Sequence, residues 1–173
     1  LGTAELTAIN FTHPITLCIT SIAIGFGTAL STILARYIGA HDVSRAKKLL
    51  CHSLIGCLPF LAGLAFICFV FHEPIFLILG AQSDILIKIT AYMMPWYLTV
   101  TLLTVVILFQ QALRSLGEAR ISASITCYAA LLNGVLDPIF ILGLGTHQGY
   151  GIQGAAYASI LSWCFCFIWL SYV

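Results

Sequence analysis

The chain is a series of long apolar runs with brief polar interruptions. No Asp, Glu, Lys or Arg occurs in 6–35, 49–72, 89–113, 121–136 or 138–173. About 20 apolar residues in a helix cross the hydrocarbon core, so the first three runs each supply one membrane helix. The last two are separated only by Asp137, and a loop with Gly143, Gly145, Gly149 and Gly151 divides that region instead. The pattern predicts an all-α bundle of five transmembrane helices at about 6–37, 46–72, 84–115, 120–143 and 151–173.

Composition agrees with the pattern. Hydrophobic residues make up 61% of the 173 residues and charged residues 8%, too little charge to solvate the surface of a water-soluble domain of this size. The reading is an integral, multi-pass membrane protein. A net charge of +1 without a basic run gives no footing for nucleic acid. The chain begins at Leu1 and ends within an apolar run, so it is read as part of a longer protein.

Charge also sets orientation. Arg36, Arg45, Lys47 and Lys48 follow the first helix and Arg114 and Arg120 follow the third, while only Lys88 lies on the alternate loops. The cation-rich side is cytoplasmic by the positive-inside rule. Both cytoplasmic connections place Arg before Gly, as Arg36…Gly39 and Arg114…Gly117. The expected role is a cation at the negative helix end and a left-handed glycine cap, with the arginines also anchoring at lipid headgroups.

Small residues at every fourth position mark close helix contacts. Ala23, Gly27, Ser31 and Ala35, with Gly25 and Ala29 nearby, form such a stripe on the first helix. Gly151, Ala155 and Ser159, and beside them Gly154, Ala158 and Ser162, form two on the last. The seven cysteines read as small hydrophobes. The histidines His13, His41, His52, His72 and His147 are scattered without ligand spacing, so no zinc site is expected.

The strongest candidate chemistry is in 129–143. Asn133 and Asp137 are four apart, on one helical face. Pro138 has no N–H, which frees the Gly134 carbonyl. Within about one turn these groups offer hard oxygen ligands for a proton or a small alkali cation such as Na⁺. A carboxylate at membrane depth costs about 2.5 kcal/mol or more, which favours a functional role over one in packing alone. Asp137 is 17 residues past Arg120, roughly 25 Å along the axis, and so in the outer half of the membrane.

Tyr92-Met93-Met94-Pro95-Trp96-Tyr97 is a second cluster. It reads either as an interfacial aromatic belt, which its depth favours, or as a wall for flat organic cations. Pro95 is expected to kink its helix. Gln110 and Gln111, near the cytoplasmic end, either line a polar path or bond a neighbouring helix. There is no nucleophile–base constellation, and an enzyme is not expected.

Taken together, several segments resemble the multidrug and toxic compound extrusion (MATE) transporters. They are 35–40 (Ala-Arg-Tyr-Ile-Gly-Ala), 79–81 with Tyr92, 112–117, 133–143 and 151–159, in family order over nearly the whole chain. The resemblance implies a twelve-helix exporter of two six-helix lobes, coupled to H⁺ or Na⁺ and exporting drugs or other organic, often cationic, compounds. Residues 1–173 would then be part of the amino-terminal lobe, lacking its first helix and the whole second lobe. Asn133 and Asp137 match the family's coupling residues, and Ser159 stands where many members have Thr. A first-helix Asp of the same site lies outside the sequence. Candidate substrate-cavity residues are Tyr92, Met93, Trp96, Gln110 and Tyr157. The resemblance implies no cofactor beyond the coupling ion. Its expected partners are membrane lipid, small organic substrates and the rest of the chain, and its expected location is a bacterial cytoplasmic (inner) membrane. Two alternatives are a flippase for lipid-linked substrates in the same broad superfamily and a non-transporting membrane module.

Overall fold

The computed structural model describes residues 3–143 and 149–172. Among them there are helices and no strands: α1 (Thr3–Gly39), α2 (Val43–Val70), α3 (His72–Ile78), α4 (Ser83–Ser115), α5 (Ala119–Leu142) and α6 (Ile152–Tyr172). All but α3 are long and apolar enough to cross a membrane. The described residues therefore form an all-α, multi-pass membrane bundle of five spans. His147 and Gly145 lie outside the described residues, as does the middle of the expected glycine loop.

The short α3 is the element that hydropathy does not predict. The run at 49–72 stays apolar past the end of α2, but Pro74 cannot donate to the carbonyl of Val70. Proline is tolerated in the first turn of a new helix, and the chain turns at Phe71 to start one. Elsewhere Pro14, Pro59, Pro95 and Pro138 sit inside α1, α2, α4 and α5, which continue through them.

Helix ends follow one device with two kinds of residue. Gly117 (φ 87°) closes α4: its N–H donates to the Arg114 carbonyl at 3.1 Å, and that of Glu118 to the Leu113 carbonyl at 3.0 Å. Gly80 (φ 91°) closes α3 with the same paired bonds to Leu77 and Phe76. At the end of α1 the expected cap at Gly39 is not the one used. Gly39 stays helical, and His41 takes the left-handed conformation, φ 58°. Its N–H donates to the Ile38 carbonyl at 3.0 Å, and the Asp42 N–H to that of Tyr37 at 2.9 Å. The Asp42 side chain then caps α2 by accepting from the Arg45 N–H at 3.0 Å. Asp42 thus ends one turn and begins the next helix, which places the cap two residues beyond Gly39.

The main core lies where α1, α2, α3 and α4 meet. Ile15, Ile19, Leu61, Phe76, Ile89 and Met93 are among its buried members. A second cluster toward the arginine-bearing end joins Leu30, Leu34, Cys57 and Leu108. Close approach of α1 to α4 depends on Gly27, since a Cβ there would lie 2.8 Å from Cγ of Gln111. A Lys88–Glu5 ion pair joins the same two helices near the opposite end.

α5 and α6 form a distinct hairpin. The carbonyls of Phe140 and Ile141, at the end of α5, accept from the N–H groups of Tyr150 and Gly151 at 2.8 and 3.2 Å. Orphan carbonyls of the last turn are satisfied by the incoming chain. Gly154 is required there, because a Cβ would meet the Phe140 carbonyl oxygen at 2.4 Å. Of the two small-residue stripes on α6, Gly154, Ala158 and Ser162 are the buried one, while Gly151, Ala155 and Ser159 are half-buried. Val106, Ile125 and Cys166 tie the hairpin to α4.

Candidate functional site

One polar line runs along α5. Ser122, Thr126, Asn133 and Asp137 recur at spacings that keep them near one face of the helix. Each has a different environment. Ser122 is fully buried and accepts from Arg114 Nε at 3.2 Å. The Thr126 hydroxyl lies 3.0 Å from the Ser122 carbonyl and 3.5 Å from Gln110 Oε1, so its proton is spent largely on its own helix. Asn133 Nδ2 donates to Ser159 Oγ on α6 at 3.4 Å.

Asp137 is half-buried, one turn beyond that pair. Its Oδ1 is buried and has no hydrogen-bond partner. Among the described residues only Tyr97 Oη shares that condition. An unmatched buried carboxylate oxygen carries a large desolvation cost, so it is an open acceptor facing its surroundings. Pro138 follows, and the Gly134 carbonyl it frees is on an exposed turn. The structure therefore joins Asn133 to Ser159 across the α5–α6 contact, with Asp137 one turn further along α5. Among the described residues there is no cluster of three or more His, Cys, Asp or Glu side chains that would hold a metal ion.

A cavity of about 450 Å³ begins at Asn133 and Ser159 and extends toward the arginine-bearing end. α1 contributes Thr20 and Ile24, α4 contributes Gln110, Gln111 and Arg114, and α6 contributes Ser162 and Trp163. Of the five residues expected to line a substrate cavity, Gln110 does so. Met93 is fully buried in the main core, and Tyr92 and Trp96 pack against it. Tyr92 also lies within electrostatic reach of Asp137 on α5. Tyr157 is exposed and meets the ring of Tyr150 edge-on, with centroids 5.9 Å apart. Arg114, Thr126 and Trp163 line the cavity without having been singled out as lining residues from the sequence. Thr126 was findable, being seven residues before Asn133 on the same face. Trp163 sits in an unbroken apolar run with nothing local to mark it.

The MatE family model matches residues 1–139. A protein of Shewanella oneidensis described as an FAD transporter is 44% identical over 94% of this chain and 36% of its own length. The multidrug export protein MepA of Staphylococcus aureus is 25% identical over 95% of this chain and 36% of its own. A crystal structure of MATE in the bent conformation superposes with a TM-score of 0.91 at 28% identity, covering 99% of this chain and 37% of that one. The chain thus spans a little over a third of the length of the relatives it matches. Those relatives are transporters and not enzymes. With a family model covering most of its length and a five-span bundle that superposes on solved members, the chain belongs to the MatE family.

Proposed function

We propose that this chain is part of the amino-terminal lobe of a two-lobe, twelve-helix exporter coupled to H⁺ or Na⁺, in a bacterial cytoplasmic membrane. Its first helix and second lobe would be supplied by further chain. The observation that carries the reading is the unpartnered Asp137 oxygen beside the Asn133–Ser159 pair. A carboxylate withdrawn from water, with an amide and a hydroxyl nearby, takes a proton or a small cation as the missing partner. Loading changes the hydrogen bonds that join α5 to α6, and a ligand with unequal affinity for two arrangements of the helices shifts their populations. An organic substrate held by one arrangement is released as the ion enters.

The test is efflux by the full-length protein in vesicles under an imposed proton or sodium gradient. Asp137→Asn keeps size and hydrogen-bonding capacity but cannot titrate, so folding is retained and gradient-driven efflux is lost. Asn133→Ala removes a ligand while leaving the charge, and weakens efflux less. Wild-type efflux by Asp137→Asn rejects the coupling role.

Two substrate classes fit the relatives. Organic cations match the multidrug exporter at 25% identity, and a flavin nucleotide matches the FAD transporter at 44%. The higher identity favours the flavin reading for this chain. Competition for efflux between ethidium and flavin mononucleotide separates the two.

A further inference from the structure

His72 joins three helices at the end of the bundle opposite the cation-rich loops. It is the first residue of α3, just past the last turn of α2, and it is buried, with 9% of its surface exposed. Nδ1 lies 3.1 Å from the carbonyl oxygen of Phe69 on α2. Nε2 lies 3.2 Å from the hydroxyl oxygen of Thr90 on α4. The Phe69 carbonyl belongs to the last turn of its helix, where intrahelical donors run out. A positive charge placed there also meets the negative end of the α2 dipole.

Both partners act as acceptors. A carbonyl can only accept, and the Thr90 hydroxyl gives its proton to the Leu86 carbonyl at 2.9 Å. An imidazolium has two N–H groups and donates to both; a neutral imidazole has one. With the neutral ring, Nδ1–H keeps Phe69, and the Thr90 hydroxyl must leave Leu86 to donate to Nε2. The arrangement in the structure fits the ring that carries both protons, and loss of one proton costs the group one hydrogen bond.

Neither partner of the ring titrates. The titratable groups on the elements around it are Cys68 in the last turn of α2, Glu73 on α3, Glu5 on α1, and Asp84, Lys88 and Tyr97 on α4. Lys88 and Glu5 are paired with each other, Glu73 and Asp84 are exposed, and the Tyr97 ring meets Phe69 edge-on. Histidine is the side chain whose ordinary charge change falls between about pH 5 and 8.

We propose that His72 is a proton-dependent clasp that seats α3 against α2 and α4. With both ring nitrogens protonated it bonds both helices. As the pH rises through the imidazole range one bond is lost and α3 loosens. α3 carries Phe76, which is fully buried in the main core, so the clasp governs how firmly that end of the core is closed. The cation-poor end faces outward by the positive-inside rule, so the clasp tightens when the external medium is acidic. Asp137 is on α5 and takes no part, which makes the clasp independent of the coupling reading.

The experiment is hydrogen exchange of the α3 backbone amides in the purified full-length protein at about pH 5.5 and about pH 7.5, each corrected for the intrinsic exchange rate. One hydrogen bond is worth about fivefold in a local opening equilibrium, so protection should be about fivefold greater at the acid pH. His72→Gln keeps a donor but cannot titrate, and abolishes the difference. Thr90→Val keeps the shape and the titrating ring but removes the hydroxyl, so the second ring proton has no acceptor. It abolishes the difference as well, and it serves should His72→Gln fail to fold. A role in packing alone would give the wild type equal protection at both pH values. That result overturns the proposal, as does a difference that persists in either variant.

Discussion

The α1–α4 half and the α5–α6 hairpin are both built of apolar helices, yet they are stabilised differently. α4 buries Ile89, Met93, Val100 and Leu108 among others, whereas α5 buries only Ser122 and Ile125. The first half is a packed core with one glycine contact, at Gly27. The second is held by backbone bonds at its turn and by a small-residue stripe, and turns its polar side toward a cavity. Spare polar capacity in the second half is what the proposed coupling site would need, since a group that is already fully paired gains little by binding a ligand.

The largest effect should come from the hairpin. Gly154→Leu drives side-chain atoms into the Phe140 carbonyl, which is backbone and cannot rotate away. The yield of monodisperse detergent-solubilised protein should collapse. Gly134→Leu, on the same hairpin, meets nothing within 4 Å and should give near-normal yield. Equal damage at both positions would mean that further chain covers the outer face of α5.

A cavity in the packed half ranks next. Ile89 is fully buried, and Ile89→Ala should lower stability by about 2–4 kcal/mol, read as a fall in Tm. Leu131→Ala, on the exposed face of α5, should cost less than about 0.5 kcal/mol. If the two variants melt together, the contrast between the halves is lost.

Gly27→Ala tests the α1–α4 contact within the packed half. The new methyl presses on Gln111, whose side chain can swing aside, so the stability loss should be about 1 kcal/mol. The smallest effect is expected at Lys88. Its ion pair with Glu5 is partly exposed, and Lys88→Ala should cost at most about 1 kcal/mol, less at high salt.

How much of this was legible beforehand differs by residue. The spans were, because about 20 apolar residues have few alternatives to a membrane helix. Gly117 was legible as a cap. His41 was not, since a non-glycine in the left-handed region is uncommon and Gly39 stood two residues earlier. α3 hides in an apolar run and is betrayed only by Pro74. Asn133 and Asp137 announced themselves by being polar at membrane depth. The contact of Asn133 with Ser159, 26 positions away, was reached through family resemblance and not through spacing.

The sequence by itself determined the class, the number of spans, the cation-rich side and the polar face of α5. Each follows from local composition or from the 3.6-residue period, which says which residues share a face. It did not determine which faces are covered. In water an apolar stripe has to be buried, but lipid solvates it as well as another helix does, so hydrophobicity carries little information about helix partners. Only the tertiary structure decided that Gly154, Ala158 and Ser162 face inward, that Met93 belongs to the core, and that Trp163 and Arg114 share a cavity with Gln110. Shape and close backbone approach made those choices, and neither is written in any one segment.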